Sequence, residues 1–315
     1  MTRRGVSKSR ARARRAKRKR SSDRKSKKSQ GRQEQQKKHQ HASNATDQES
    51  AENQNILEWD SPLEFVPFCQ EESIVQFIFE RNGKKERGMF KEKPSFLLDK
   101  YKKAMKEHAP AMSLPQVLSL RRHHINLFNQ SRSMSRLRLG ERNDIDESAR
   151  IFEVVVEKFL KKCSVEYLTE EDQKKKAKEK QTTLKATPDF VLPKPMLLQK
   201  IRKNESKASK RKNNPAVLEE RTIHWIEVKM YYGASSIPHG SKGAVGSVLA
   251  KSQKYVDYFG EGAILFMMGC GDKLAAELNE IGVSVLDCSG NTVSLEEVHD
   301  HQRTWCANDN GQILP

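Results

Sequence analysis

The chain has few cysteines and no long apolar run. Its five cysteines are odd in number, lie far apart and form no C-x-x-C pair. Together with the lack of an apolar leader, this favours a reduced intracellular compartment over a disulfide framework. Even the apolar stretch Ala263–Met268 is far shorter than the roughly 18–20 residues that span a bilayer, so we expect no membrane-spanning helix. No cluster of thiols or imidazoles indicates a zinc site.

Positive charge is concentrated at the start of the chain. Residues 1–41 hold 18 Lys and Arg against 2 Asp and Glu, which accounts for +16 of the net charge of +18. Residues 1–55 contain little that could be buried to offset the entropy of ordering the backbone, so we expect a disordered basic tail. Such a tail is typical of a nuclear import signal, of an arm that contacts nucleic-acid phosphates, or of a solubilising extension. We expect a location in the nucleus, with the cytoplasm as a second compartment.

Residues 56–142 predict a small helical region, because apolar residues become frequent from Leu57 onward. Helices are expected at about 71–81, 95–108, 115–129 and 131–138. Basic residues on the last two of them are Arg121, Arg122, Arg132, Arg136 and Arg138. They suit either a helix-turn-helix that binds DNA or the solvated face of ordinary helices. His123 and His124 are adjacent and diverge by roughly 100° on a helix, so we interpret them as structural or surface residues.

Two apolar segments carry charged residues that a plain buried strand avoids. Thr187–Leu192 contains Asp189, and Thr222–Lys229 contains Glu227 and Lys229. Residues two apart on a strand face the same side, so Glu227 and Lys229 point to one place. The proline before Asp189 puts that residue near the beginning of a strand. Because buried charge must be compensated, the Glu and Lys are either functional or an internal ion pair.

Other elements are expected before and between these two strands. A helix with Glu153 and Glu157 on one face is expected first, then a short strand at 164–168 and a lysine-rich loop at 174–185. Residues 193–221 are polar and basic and predict an extended loop. This loop is either a positive flap that follows a phosphate backbone, with Arg211 and Lys212 as candidate contacts, or a solvated insertion.

The last part of the chain alternates helices and strands. We expect a helix at 245–259, a strand at 263–269, a helix at 272–279, a strand at 283–287 and a polar C-terminal tail at 301–315. Lys251 and Gln253, on the first of these helices, are candidate nucleic-acid contacts. The preceding loop lacks the G-x-x-x-x-G-K-[ST] pattern, so no ATP site of that type is proposed.

The charged residues have the pattern of a PD-(D/E)xK nuclease site, in which two carboxylates bind a divalent metal and a lysine acts on the water or the phosphate. A longer ordered set consists of Thr-Pro-Asp-Phe, then Ile-His-Trp-Ile-Glu-x-Lys, then Phe-Gly-x-Gly at 259–262. This set resembles the TPD-motif family, whose animal member is the nuclease that interacts with codanin. The resemblance runs from about Glu153 to about Asp287, within a domain expected at 143–300. It implies a restriction-endonuclease-like αβββαβ core, an α/β fold with a mixed sheet, and a codanin-like protein as partner.

The same pattern suggests roles for individual residues. Asp189, Glu227 and the carbonyl of Val228 are expected to bind Mg²⁺, with Mn²⁺ as the alternative ion. Lys229 is expected to orient the attacking water or to stabilise the charge of the transition state. In folds of this type the first core helix lends a glutamate to the metal cluster, which implies Glu153; the alternative is that Glu153 is a solvated residue.

The expected function is therefore metal-dependent hydrolysis of phosphodiester bonds in DNA or RNA. One alternative is a catalytically inactive protein on a nuclease fold that acts as a nucleic-acid-binding or chromatin-associated adaptor, because fold does not imply activity. Another is a chromatin-associated or ribosome-associated factor that binds mainly through its basic tail.

Overall fold

The computed structural model describes residues 56–61, 64–80, 94–132, 142–202, 216–290 and 292–305. The basic tail, the region around Arg136 and Arg138, and the two flap residues Arg211 and Lys212 lie outside the described residues. The described part is an α/β structure with a mixed six-stranded sheet and eight α-helices. Within it, no helix combines the length and the apolar character that a bilayer crossing requires.

Three helices follow the first strand in the described part of the chain. They are α1 (Phe68–Glu80), α2 (Pro94–His108) and α3 (Leu114–Arg132), close to three of the predicted spans. Pro115 occupies the first turn of α3, where its missing N–H is not needed. Buried residues of all three helices join the same apolar core as the sheet, as shown by Ile74, Tyr101 and Leu118.

The next helix, α4 (Arg142–Lys162), carries Glu153. Phe152, Val156 and Leu160 are fully buried and recur every four residues, which is the spacing of one helix face. The last described helix, α8 (Glu296–Trp305), lies across α4. It is tied there by Lys158 Nζ to Glu297 at 2.7 Å and by Ser148 Oγ to His301 Nδ1 at 2.8 Å.

The predicted strand at 164–168 and the predicted loop at 174–185 were largely wrong. Ser164 takes a left-handed conformation with φ of 57° in the turn after α4. The strand that follows, β2, is only Leu168–Thr169. Helix α5 (Glu170–Glu179) then begins with a capping box in which Thr169 and Asp172 satisfy each other's backbone N–H groups. The helix lacks an apolar stripe because it buries little beyond Gln173 and Ala177.

The predicted loop at 193–221 is mostly strand. β3 (Phe190–Arg202) and β4 (Ala216–Lys229) form a long antiparallel ribbon, and only the residues between them lie outside the description. Met196, Leu198 and Ile201 are buried, but polar residues stand between them in the sequence. These polar residues made the segment resemble a loop. The register shifts between Val191 and Met196, where two prolines cannot donate to the ladder.

The sheet is completed by one early and two late strands. β1 (Ile56–Asp60), which the sequence did not predict, pairs in parallel with β3. β5 (Gly262–Phe266) and β6 (Val283–Asp287) continue in parallel from β4, giving the order β1-β3-β4-β5-β6 with β2 beside the start of β3. The connecting helices α6 (Val248–Phe259) and α7 (Asp272–Glu280) agree with prediction, except that Val245–Ser247 is a 3-10 turn.

Gly262 lets β5 approach the largest side chain of β4. A Cβ atom on Gly262 would lie 2.1 Å from Cε2 of Trp225, which is fully buried and donates its Nε1–H to Gly260 O at 2.9 Å. We expect Gly262→Ala to lower the free energy of unfolding by about 3 kcal/mol, because overpacked cores must shift backbone or rotamers. Urea denaturation measures this. Gly243→Ala is the matched control, since no atom lies within 4 Å of its added Cβ; equal midpoints for the two variants would contradict the argument.

Candidate active site

Backbone pairing brings the two predicted carboxylates together. Asp189 immediately precedes β3, and Phe190 pairs with Ile226 on β4, next to Glu227. The two residues are then joined by hydrogen bonds. Asp189 N donates to Glu227 Oε2 at 3.1 Å, and Val228 N donates to Asp189 Oδ2 at 2.6 Å. The antiparallel ribbon therefore holds both carboxylates at one end of the sheet.

The ammonium of Lys229 lies among three oxygen atoms. Its Nζ donates to Glu227 Oε1 and, at 3.0 Å, to the carbonyl oxygen of Val228. It also lies 3.7 Å from Asp189 Oδ2. These are the three oxygens that the sequence suggested as metal ligands, and here they already converge on a positive charge.

Negative charge is crowded around this lysine. Glu227 is 5% exposed, and burial, followed by repulsion from Asp189, raises its pKa to about 7. Burial and then Asp189 also raise the pKa of Glu153 to about 7. Burial disfavours the ammonium of Lys229, but the combined attraction of Glu227 and Asp189 outweighs it and raises the pKa of Lys229. The three carboxylates of Asp189, Glu227 and Glu153 therefore all act on the one ammonium of Lys229 at this end of the sheet.

The acidic groups do not form a closed ligand cluster of side chains. In the described ranges, no three His, Cys, Asp or Glu side chains are close enough together to bind a metal ion by themselves. The convergent donors are two carboxylates and one backbone carbonyl. That set matches Mg²⁺, which is usually held by one or two carboxylates and keeps several of its waters.

A cavity of about 370 Å³ opens above this end of β4. Glu153, Glu227 and Lys229 line it, and so does the predicted contact Lys251. Two other predicted residues are not among the described residues that line it. Asp189 lies next to it, in contact with the lining residues Glu227, Val228 and Lys229. Gln253 instead donates to Asp257 Oδ1 at 2.9 Å on the surface of α6.

The sequence did not place the residues of α3 or of the loop before α6 at this cavity. Arg122, predicted as a helix-turn-helix or solvated residue, and His123, predicted as structural or surface, reach it from α3, and Lys242 reaches it from that loop. Tyr231 also lines it, and its position two residues after Lys229 is the local signal that could have identified it. Nothing local indicated that α3 packs across the site, because that packing joins residues about 110 positions apart in the sequence.

The loop after β4 is held by the helical region. Glu71 of α1 is fully buried and accepts hydrogen bonds from Tyr232 Oη at 2.6 Å, Ser235 N at 3.1 Å and Ser236 N at 2.8 Å. His124 is buried, and its Nε2 lies 3.0 Å from Ser236 Oγ. This agrees with the structural role predicted for that histidine.

Residues 139–289 match the family model described as Protein of unknown function TPD sequence-motif. They form a TPD-motif segment. The segment covers just under half of the chain and includes Glu153, Asp189, Glu227, Lys229 and Lys251. The α3 side of the cavity, with Arg122 and His123, lies outside the TPD segment. No curated protein and no solved structure matched the chain.

Proposed function

We propose that this protein is a metal-dependent nuclease that hydrolyses phosphodiester bonds in DNA or RNA. The observation that carries the proposal is the convergence of oxygens from Asp189, Glu227 and Val228 on the ammonium of Lys229. The element order is α4-β2-α5-β3-β4-α6-β5-α7-β6. Apart from the added helix α5, the part from α4 to β5 has the αβββαβ succession of a PD-(D/E)xK-type core, and α7 and β6 extend it. The TPD match over this segment is consistent with it.

The donor set fits Mg²⁺ or Mn²⁺, because its three oxygens already surround a cation. Asp189, Glu227 and the Val228 carbonyl would hold the ion, and Glu153 would add a carboxylate from α4. When bound, such an ion polarises a phosphate oxygen and lowers the pKa of a coordinated water.

The chain's own residues supply the remaining functions. Lys229 would exchange its contacts with these oxygens for a contact with the attacking water or the phosphate. Arg122, Lys242 and Lys251 line the cavity and would bind the phosphates on either side of the cleaved bond.

A second candidate is a nucleic-acid-binding adaptor that does not cleave. The observation that favours it is that Lys229 neutralises part of the acidic charge from within the chain, as a structural ion pair would. A codanin-like partner and a nuclear location remain predictions from the resemblance and from the basic tail.

The test of the nuclease proposal is the metal dependence of cleavage by the full chain. Labelled single-stranded and duplex DNA and RNA are incubated with Mg²⁺, Mn²⁺ or EDTA. We expect cleavage with either metal and none in EDTA. Asp189→Asn should raise the half-saturating Mg²⁺ concentration by at least about 10-fold, because even outer-shell partners of a metal site contribute 10- to 100-fold.

Asp257→Asn is the matched control, because Asp257 pairs only with Gln253 on the surface of α6 among the contacts described. It should leave the Mg²⁺ dependence unchanged. Binding without cleavage of any substrate, under every metal condition, would favour the adaptor and rule out the nuclease.

A further inference from the structure

The lining of the cavity combines cations and aromatic rings. Arg122, Lys242 and Lys251 supply positive charge. The rings of His123 and Tyr231 also line it and meet edge to face, with centroids 5.2 Å apart. The ring of Tyr231 also packs on Phe266, with centroids 6.0 Å apart. A cavity that combines cations and a supported aromatic ring suits a ligand with both phosphate and an aromatic base.

The imidazole of His123 is an uncharged ring. Burial, followed by the positive charge of Arg122, lowers the pKa of His123 to about 3. The ring is therefore neutral at physiological pH and presents an aromatic surface, while Arg122 beside it keeps its charge. Tyr255 adds a further ring, which packs edge to face on Trp225 at 5.2 Å.

The size of the cavity limits what can enter it. A volume of about 370 Å³ lies at the lower end of the range of small-molecule sites, roughly 300–1,000 Å³. It suits one nucleotide and is far too small for a base pair with both of its backbones. Because Glu153, Glu227 and Lys229 line this same cavity, a phosphate that reaches them brings its own nucleotide into it.

We infer that the cavity accepts one unpaired nucleotide, with its base against Tyr231 and His123 and its phosphates toward Arg122 and Lys251. The substrate is then single-stranded nucleic acid, or a single-stranded part of a larger molecule. This inference rests on the proposed function for the chemical class of its ligand. The α3 residues Arg122 and His123 lie outside the TPD segment, so this selectivity depends on the helical region as well as on that segment.

Binding is measured by fluorescence anisotropy with the full chain. The probes are a labelled single-stranded DNA, the RNA of the same sequence and the blunt DNA duplex, with Ca²⁺ in place of Mg²⁺ and moderate salt to limit binding by the basic tail. We expect a preference for the single strands. Tyr231→Ala should weaken single-strand binding on the order of 10- to 100-fold, as loss of a base-stacking ring does, and should leave duplex binding unchanged.

Three variants keep the result interpretable. Tyr231→Leu is a less disruptive replacement in case Tyr231→Ala unfolds, and it should weaken single-strand binding in the same way. Tyr231→Phe keeps the ring and should bind single strands more tightly than either. Tyr258→Ala removes an exposed tyrosine that packs on Phe259 and should have no effect.

Cleavage in Mg²⁺ separates this inference from the proposed function. If no substrate is cut but the single-strand preference depends on Tyr231, the nucleotide site stands and the nuclease proposal fails. If duplex is cut as fast as single strands and Tyr231→Ala changes neither rate, the nuclease proposal stands and the single-strand inference is overturned. Equal binding of single strands and duplex, insensitive to Tyr231, would also overturn it.

Discussion

Replacing Lys229 with Met is expected to lower metal-dependent cleavage on the order of 100- to 1000-fold while raising the affinity for Mg²⁺. The rate falls because the group that acts on the water or the phosphate is gone. The affinity rises because the Lys229 ammonium occupies the oxygens of Asp189, Glu227 and Val228 that the metal needs. A purely structural lysine would not produce this pair of opposite changes.

The same variant has a stability effect that reports on the site without any cleavage. In EDTA, Lys229→Met leaves Glu227 buried without its cation, and breaking a buried ion pair costs about 3–5 kcal/mol. Mg²⁺ should restore much of that loss, so the melting temperature of the variant should depend on Mg²⁺ more steeply than that of the wild type.

Three measurements test these expectations: calorimetric titration with Mg²⁺, thermal melting with and without Mg²⁺, and single-turnover cleavage. Lys178→Met, on the exposed side of α5, is the matched control and should behave as the wild type. Wild-type cleavage by Lys229→Met, or a weaker affinity for Mg²⁺, would remove Lys229 from the proposed site.

Replacing Glu71 with Ala is expected to lower the free energy of unfolding by about 4 kcal/mol, as judged from the cost of unpaired buried donors. Its carboxylate accepts from the Tyr232 hydroxyl and from the N–H groups of Ser235 and Ser236, and all three would lose that acceptor. The neighbouring residue Glu72 is exposed, so Glu72→Ala is the matched control and should change stability little. Chemical denaturation compares the two, and equal losses would contradict the role given to Glu71.

Glu71 also makes stability depend on pH. Burial raises its pKa above the ordinary value of 4.5, in spite of the hydrogen bonds from Tyr232 and the loop. A group whose pKa is higher in the folded state stabilises the fold most below its unfolded pKa, and this contribution is lost as the pH rises through the folded value. The free energy of unfolding of the wild type should therefore fall relative to that of Glu71→Gln as the pH rises above 4.5. Denaturation at several pH values measures that difference, and a constant difference would contradict the assignment.

The sequence predicted the parts of the fold that repeat a local pattern. The helices that became α1, α2 and α6 and the strand that became β6 were located to within a few residues, because apolar spacing identifies one buried face. Prediction failed for segments that form a helix or a strand without regularly spaced apolar residues. Helix α5 depends on the capping box of Thr169 and Asp172, and the outer face of the β3–β4 ribbon is polar enough to resemble a loop.

In the candidate site, too, the sequence predicted what depends on a local pattern and failed to predict what depends on the pairing of distant segments. Alternation along a single strand was enough to place Glu227 and Lys229 side by side. The contact between Asp189 and Glu227 needed the correct pairing of two strands. That pairing depends on a ribbon whose far half the sequence did not identify as strand.

The amino-acid sequence by itself determined which charged groups stand on β4, since side-chain direction along a strand follows from backbone geometry alone. Only the tertiary structure decided that α3 completes the cavity with Arg122 and His123. That placement depends on buried contacts between distant residues, such as the hydrogen bond from Gln116 Nε2 to Met268 O at 2.9 Å. Contacts of this kind carry no sequence period, because they are selected by the packing of whole apolar faces against one another.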